Sequence, residues 1–159
     1  MQARLEAQKV SPTAYQAMLG LERFVKQSKL EPALLGLVKM RASQINGCAF
    51  CLDMHSKDAR AAGETEQRLY ALNAWSETPF FTDRERAALA WTEAVTLVAD
   101  GHVPDAVYEE AMQQFSEEEL VNLTMAVVTI NGWNRLSIAF RAVPGEYQPA
   151  ARKAEGATQ

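Results

Sequence analysis

The chain has 159 residues, of which 48% are hydrophobic and 23% charged, with 8 Gly and 6 Pro, and this composition excludes disordered, collagen-like and low-complexity proteins. Its formal net charge is −4 and its 16 basic residues are scattered along the chain, so we expect neither a nucleic acid nor a membrane as its partner. Residues 1–25 carry charges where a signal peptide would be apolar, and no apolar stretch approaches the roughly 20 residues of a membrane span, so a cytoplasmic protein is expected.

Apolar residues recur at helical spacing along most of the chain, and no convincing run of alternating β-branched residues bounded by turns is present. The sequence therefore predicts an all-α protein of about seven helices. Pro12, Pro32 and Pro104 stand where helices are expected to begin. Gly47 and Gly63 stand where helices are expected to end. The predicted helices cover residues 12–28, 32–45, 48–62, 66–75, 83–99, 104–115 and 117–142.

Two capping boxes fix helix starts in the second half of the chain. Thr82 is followed three residues later by Glu85, and Ser116 is followed at the same spacing by Glu119. In this motif the hydroxyl and the carboxylate each accept a hydrogen bond from a backbone N–H group that the helix leaves free. The fifth and seventh helices are therefore predicted to begin directly after Thr82 and Ser116.

The seventh predicted helix is apolar on nearly all of its sides between Leu120 and Ile130. A surface helix of a monomer would show a single apolar stripe, so this helix is predicted to lie at the centre of the fold or against another subunit. No linker, repeat or charge block divides the chain. We therefore expect one domain over residues 1–145, a loose or partner-clasping tail over residues 146–159, and a homo-oligomer.

Chemistry concentrates at the start of the third predicted helix. Cys48, Cys51 and His55 stand at positions i, i+3 and i+7, which confines their side chains to an arc of about 60° on one helix face. Helical spacing brings the two cysteine Cα atoms to roughly 5–6 Å, a separation at which a disulfide closes. The first turn of a helix also favours a thiolate, because its free N–H groups and the helix dipole stabilise negative charge. The pair is therefore predicted to cycle between dithiol and disulfide.

Other interpretations of these residues remain open. Two helical cysteines can be small core residues. Cys48, Cys51 and His55 could also bind zinc, although a structural zinc site is closed by four ligands. His102, the only other histidine, stands in a turn and is expected to be solvated. A thioredoxin-like motif would follow a β-strand, and no strand is predicted here.

The segment 37–55, LVKMRASQINGCAFCLDMH, resembles the active-site signature of the carboxymuconolactone decarboxylase superfamily, and specifically its AhpD-like alkylhydroperoxidase branch. Segments 87–93, AALAWTE, and 130–141, INGWNRLSIAFR, support the resemblance, which extends roughly from residue 32 to residue 141. The resemblance implies an AhpD-like helical domain that assembles as a trimer or a hexamer.

The resemblance also implies a thiol peroxidase that takes part in antioxidant defence. By it, Cys51 attacks a small hydroperoxide, Cys48 resolves the product to a disulfide, and His55 carries protons. No bound cofactor or metal is expected. The disulfide would be reduced by an external dithiol, which the family implies to be a lipoylated protein or a peroxiredoxin-linked system.

One departure from the family pattern concerns the proton relay. Its first member is usually a Glu twelve residues before the first cysteine, and Gly36 holds that position here. Glu31 and Glu93 are candidate replacements. Without a replacement we expect redox reactivity with slow peroxidase turnover.

Two competing functions use the same motif. One is a non-catalytic thiol redox switch or zinc-binding interaction module that employs Cys48, Cys51 and His55. The other is a decarboxylase-type proton-transfer enzyme, for which two cysteines on one helix face are less suitable than for sulfur chemistry. Trp133 and Arg135 are expected to serve in packing or at an interface, with lining of a peroxide pocket as the alternative.

Overall fold

The computed structural model describes residues 2–149, and all regular secondary structure in that range is helical. The prediction of an all-α fold is therefore confirmed. The α-helices are α1 Ala7–Val10, α2 Pro12–Gln27, α3 Pro32–Asn46, α4 Ala49–Ala61, α5 Glu66–Ala71, α6 Asp83–Thr96, α7 Asp105–Gln114 and α8 Glu117–Phe140, with a 3-10 helix at Leu72–Glu77.

The predicted helices correspond to the observed ones with small differences. The sequence missed the single turn of α1, and the fourth predicted helix is divided into α5 and the 3-10 helix. Both capping boxes are present as predicted, at Thr82 and Ser116. α8 ends earlier than predicted because Arg141 adopts a left-handed conformation, with φ of 55°, at its C-terminus. No helix within residues 2–149 is long and apolar enough to cross a membrane.

Helices α3 and α8 form the centre of the molecule. α8 contacts α2, α3, α4, α6 and α7, and α3 contacts α4, α6 and α8. The apolar α8 therefore lies in the core, as one of its two predicted placements required. Its outer face is nevertheless not polar, since Val121 and Val128 are 62% and 47% exposed.

Two apolar clusters stabilise this arrangement. The larger joins α2, α3, α6, α7 and α8, and includes Val38, Ala88, Leu123 and Val127, none of which is accessible to solvent. The smaller lies under α4, α5 and the 3-10 helix and is centred on Leu72. α3 contributes to both clusters. The helix that precedes the two cysteines is therefore held on two sides.

Candidate active site

The turn between α3 and α4 orients the two cysteines. α3 is terminated by Gly47, whose φ of 67° is in the left-handed region that favours glycine. Cys48 follows as the N-cap of α4, and its backbone N–H group donates a hydrogen bond to the carbonyl of Ser43 at 3.0 Å. The Cys51 N–H group donates to Cys48 Sγ at 3.4 Å. The sequence predicted Cys48 as the first residue of the helix, whereas in the structure Cys48 precedes α4 and its sulfur caps the N-terminus of that helix.

Cys48 and Cys51 are joined by a disulfide, and their Cα atoms are 5.4 Å apart. This separation agrees with the 5–6 Å expected from helical spacing. Each cysteine is only 1% exposed. The pair is therefore positioned for intramolecular bonding and shielded from bulk solvent.

Side chains of α8 form hydrogen bonds with the last turn of α3, directly before Cys48. Asn134 is fully buried, and its side-chain amide donates to Ser43 Oγ at 3.0 Å while accepting from Asn46 at 2.9 Å. Asn46 also donates to Asn131 Oδ1 at 2.9 Å. Ser43 and Asn46 lie in the last turn of α3, so this network ties the turn before Cys48 to the central helix. It gives a physical reason for the segment 130–141 to accompany the cysteine motif.

Trp133 and Arg135 point to other roles. Trp133 packs edge-on against Tyr15, with ring centroids 5.1 Å apart. Arg135 donates to the backbone and side-chain oxygens of Asn131 at 3.0 and 2.9 Å. Packing, the first expectation for Trp133, is thus observed. Neither residue lines the cavity between α3 and α4 that is described next.

His55 lies one turn after Cys51 and lines a cavity of about 630 Å³ between α3 and α4. Burial, reinforced by the positive charge of Lys39, lowers its pKa from 6.5 to about 4, and the carboxylates of Asp58 and Glu22 oppose this shift. The imidazole is therefore neutral at pH 7. A neutral imidazole can accept a proton from a thiol but supplies no positive charge to hold a thiolate.

Gly36 lines the same cavity as His55. A Cβ atom built on Gly36 would have no neighbouring atom within 4 Å, so packing does not exclude a side chain at its point of attachment here. The two carboxylates suggested by the sequence have other partners. Glu31 pairs with Arg84 at 2.8 Å, and Glu93 accepts from Arg41 and from the indole of Trp75, each at 2.7 Å.

Glu22 is instead one of two carboxylates whose negative charge opposes the lowering of the His55 pKa. Glu22 lies on α2 and forms an ion pair with Lys39, which lines the cavity with His55. Sequence reasoning missed this pair because its members are 17 residues apart on different helices. No motif or spacing signals such a contact.

The start of the predicted tail is bound to the outer side of α4. The Gly145 N–H group donates to Asp53 at 2.9 Å, Lys57 donates to the Gly145 and Tyr147 carbonyls at 3.1 Å, and the Tyr147 hydroxyl donates to Asp58 at 2.6 Å. This last bond raises the pKa of Tyr147 to about 12. Tyr147, which belongs to the predicted tail of residues 146–159, is therefore hydrogen-bonded to α4, and residues 150–159 lie outside the described range.

The zinc interpretation of the sequence would need the side chains of Cys48, Cys51 and His55 as ligands. Throughout residues 2–149, no group of three or more His, Cys, Asp or Glu side chains is placed to hold a metal ion. Cys48 and Cys51 are bonded to each other rather than presented as two separate ligands. The chemistry that the site offers is that of a dithiol and its disulfide beside a neutral imidazole.

Comparison with known proteins assigns the family. Residues 12–94 match the model of the carboxymuconolactone decarboxylase family. The chain belongs to this family. It is also 43% identical to the uncharacterized protein YdfG of Bacillus subtilis over 139 residues, which covers 87% of this chain and 95% of YdfG.

Solved structures assign this family member to the AhpD-like branch. A protein of unknown function from Agrobacterium tumefaciens, described as a candidate antioxidant defence protein AhpD, superposes with a TM-score of 0.89 at 42% identity. The match covers 92% of this chain and 100% of that one. The debrominase Bmp8 superposes with a TM-score of 0.78 at 22% identity over 87% of this chain and 74% of its own, and so shares the fold. The family and this relative at 42% identity therefore connect the chain with proteins of the AhpD type.

Proposed function

We propose that this family member is a thiol peroxidase that reduces small hydroperoxides through Cys48 and Cys51. The observation that carries the proposal is the bonded cysteine pair at the start of α4, one turn before a histidine that lines a cavity. A disulfide between residues three apart at a helix start contributes little as a structural crosslink, because it closes a very short loop. The same arrangement suits a redox couple.

The reaction begins with the reduced pair. The Cys51 thiol loses its proton to neutral His55, and its thiolate attacks the terminal oxygen of the hydroperoxide. The O–O bond breaks, Cys51 becomes a sulfenic acid, and the departing alkoxide takes the proton from His55 to leave as an alcohol. The Cys48 sulfur then attacks Cys51, and water leaves as the disulfide forms.

Reduction of the disulfide completes the cycle. An external dithiol, from a lipoylated protein or a peroxiredoxin-linked system, attacks Cys51, supplies two electrons and is itself oxidised to a disulfide. Cys48 is the leaving thiolate in this step. The backbone N–H group of Cys51 donates a hydrogen bond to Cys48 Sγ. Such a bond at a helix start stabilises a thiolate. This contact supports the assignment of Cys48 as the resolving cysteine.

Thiol counting and mass spectrometry test the proposal. One equivalent of hydroperoxide should convert both thiols of the reduced protein into an intramolecular disulfide, and Cys48→Ser should accumulate a sulfenic acid on Cys51 that a dimedone probe labels. Cys51→Ser is the matched control and should not be labelled. Bridges between chains only, or a stoichiometric zinc ion in the purified protein, would contradict the proposal.

A non-catalytic redox switch is the second candidate. It is favoured by the burial of both sulfur atoms, each in a residue 1% exposed, and by the glycine at the relay position. Turnover separates the two functions. A peroxidase consumes many equivalents of hydroperoxide when dihydrolipoamide is in excess, whereas a switch consumes about one.

We also propose that the chain forms a homo-oligomer, a trimer or a hexamer, through the outer face of α8. Val121 and Val128 lie two turns apart on this helix and are 62% and 47% exposed, with the partly exposed Met125 between them. An apolar face of this kind is usually covered by a partner. Light scattering should report a trimer or a larger species, and Val128→Glu should shift it toward the monomer. A native monomer at micromolar concentration would contradict this proposal.

A further inference from the structure

The C-terminal segment, residues 145–147, lies along the helix that carries Cys51 and His55. Asp53 on α4 accepts a hydrogen bond from the Gly145 N–H group at 2.9 Å. Lys57, one turn later, donates to the Gly145 and Tyr147 carbonyls, each at 3.1 Å. These bonds hold the backbone of the segment against α4, so the place of the Tyr147 side chain is fixed relative to that helix.

The Tyr147 hydroxyl reaches a carboxylate of the same helix that borders the cavity. It donates a hydrogen bond of 2.6 Å to Asp58. Asp58 stands three residues after His55, and residues at this spacing are neighbours on one helix face. Asp58 and His55 both line the cavity between α3 and α4. The C-terminal segment therefore contacts a direct neighbour of the candidate proton acceptor.

The charges that act on His55 come from three helices. Lys39 on α3 lowers its pKa, while Glu22 on α2 and Asp58 on α4 oppose this shift. Glu22 is paired with the cation of Lys39, whereas Asp58 accepts its hydrogen bond from a neutral hydroxyl. Asp58 thus keeps a negative charge that a protonated imidazole would attract. The remaining charged lining residues of the cavity are Lys26 and the mutually paired Glu64, Arg68 and Glu85.

We propose that Tyr147 is a positioning residue of the candidate site: its hydroxyl binds the Asp58 carboxylate, which would otherwise pair with a protonated His55, and so keeps the imidazole neutral and able to accept a proton. The consequence for catalysis rests on the proposed peroxidase function, whereas the relation among the three side chains does not. The bond to Asp58 raises the pKa of Tyr147 to about 12, so its hydroxyl remains a donor at every pH at which the imidazole titrates.

NMR titration of the His55 imidazole in the oxidised full chain, between pH 7.5 and pH 4.5, tests this relation. The native pKa of about 4 means that the His55 resonances should move little above pH 5. Tyr147→Phe removes only the hydroxyl and should raise the His55 pKa by about one unit or more, because an opposite charge at close range shifts a pKa by about 1–3 units. Tyr70→Phe is the matched control, since Tyr70 is 75% exposed and lies outside the cavity lining, and it should titrate like the native protein.

Asp58→Asn identifies the group through which Tyr147 acts. In Asp58→Asn the His55 pKa should not exceed the native value, and adding Tyr147→Phe should then change nothing, because the carboxylate is gone. A rise of the same size in the Asp58→Asn background would attribute the effect to water that enters the cavity, and it would overturn the inference. An unchanged His55 pKa in Tyr147→Phe would overturn it as well.

Peroxide kinetics separate this inference from the proposed function. The ratio of the second-order rate of Tyr147→Phe with hydrogen peroxide to that of the native protein should fall by about twofold or more between pH 7.5 and pH 5, as the imidazole of the variant becomes protonated. A pH-independent ratio beside a raised His55 pKa would overturn the consequence for catalysis. A raised pKa that depends on Asp58, in a protein that forms no sulfenic acid, would support the positioning role and contradict the proposed function.

Discussion

The two sides of the candidate site are built differently. On the closed side, the turn that carries Cys48 is fixed by hydrogen bonds among Cys48, Ser43, Asn46 and Asn134, and both cysteines are buried. On the other side, which we call the open side, His55 and Gly36 line a cavity, and Gly36 contributes no side chain to it. In the proposed function, disulfide formation depends on the first side and proton transfer on the second. The difference indicates a protein with a preorganised thiol pair and a reduced set of proton carriers.

The largest expected effect follows from removing the one histidine on the open side. His55→Gln should lower the rate of sulfenic acid formation by about 10²-fold or more, because general acid–base catalysis by a positioned side chain contributes about 10²–10⁴. Stopped-flow measurement with a small hydroperoxide provides the rate. His102→Gln, which changes the other histidine, is the matched control and should react at the native rate.

The same histidine should also make the fold sensitive to acid. Burial and Lys39 lower the pKa of His55 from 6.5 to about 4, so the unfolded chain binds a proton that the folded chain excludes. The contribution to the free energy of unfolding is complete above pH 6.5, declines as the pH falls, and is lost near pH 4. Its full size is about 3 kcal/mol at 1.36 kcal/mol per pKa unit.

Urea titrations of the native protein and His55→Gln between pH 7 and pH 4 measure this contribution. The native free energy of unfolding should fall by about 3 kcal/mol more than that of His55→Gln over this range. The comparison between the two proteins cancels the stability that carboxylates contribute and lose in acid. Examples are Glu85, whose pKa is lowered by Arg68, and Glu119, whose pKa is lowered by the Ser116 backbone and by Arg84. Parallel curves would show that the imidazole is not desolvated in solution.

On the closed side, Asn134→Ala should destabilise the fold by about 1–3 kcal/mol, because Ser43 Oγ loses its hydrogen-bond donor, Asn46 loses one of its acceptors, and the buried Asn134 side chain is removed. It should also slow closure of the Cys48–Cys51 disulfide, since the last turn of α3 loses its tie to α8. Asn122→Ala is a control on the same helix, where the amide makes a single hydrogen bond of 3.4 Å to Ser28. If closure of the disulfide is equally fast in both variants, the network does not position the cysteines.

The closed side was far more accessible to sequence reasoning than the open one. Helical spacing alone gave the contact between Cys48 and Cys51, because residues three apart must be neighbours on a helix. Gly47 and the capping boxes are local signals of the same kind. The cavity and the ion pair of Glu22 with Lys39 depend on how α2, α3 and α4 pack, which no local pattern determines.

Two further sets of contacts also depend on how the helices pack. Glu31 and Glu93 were reasonable carboxylates by type, and the fold directs them to Arg84 and Arg41 instead. Residues after Gly145 had the composition of a tail, and yet Tyr147 is hydrogen-bonded to Asp58. In both cases the partner is distant in sequence.

The smallest expected effect is a gain in the rate of reaction with a hydroperoxide, and it tests whether the open side lacks a proton carrier. Gly36→Glu introduces a carboxylate at the position where the family pattern has one, and its Cβ atom would meet no other atom within 4 Å. It should raise the second-order rate with a small hydroperoxide several-fold, within the range of general acid–base assistance, while reduction of a model disulfide changes less, because thiol–disulfide exchange needs no second proton carrier.

Gly36→Gln distinguishes the effect of the carboxylate on the rate from the effect of the added side-chain volume. It has nearly the same shape and helix propensity as the glutamate but cannot take up a proton near neutral pH, so it should leave the small-hydroperoxide rate below that of Gly36→Glu. Equal rates in the two variants would attribute any gain to a filled cavity. A native rate that the carboxylate does not raise would mean that the proton route is already complete through another group, and Glu22, paired with Lys39 near His55, would be the first residue to replace.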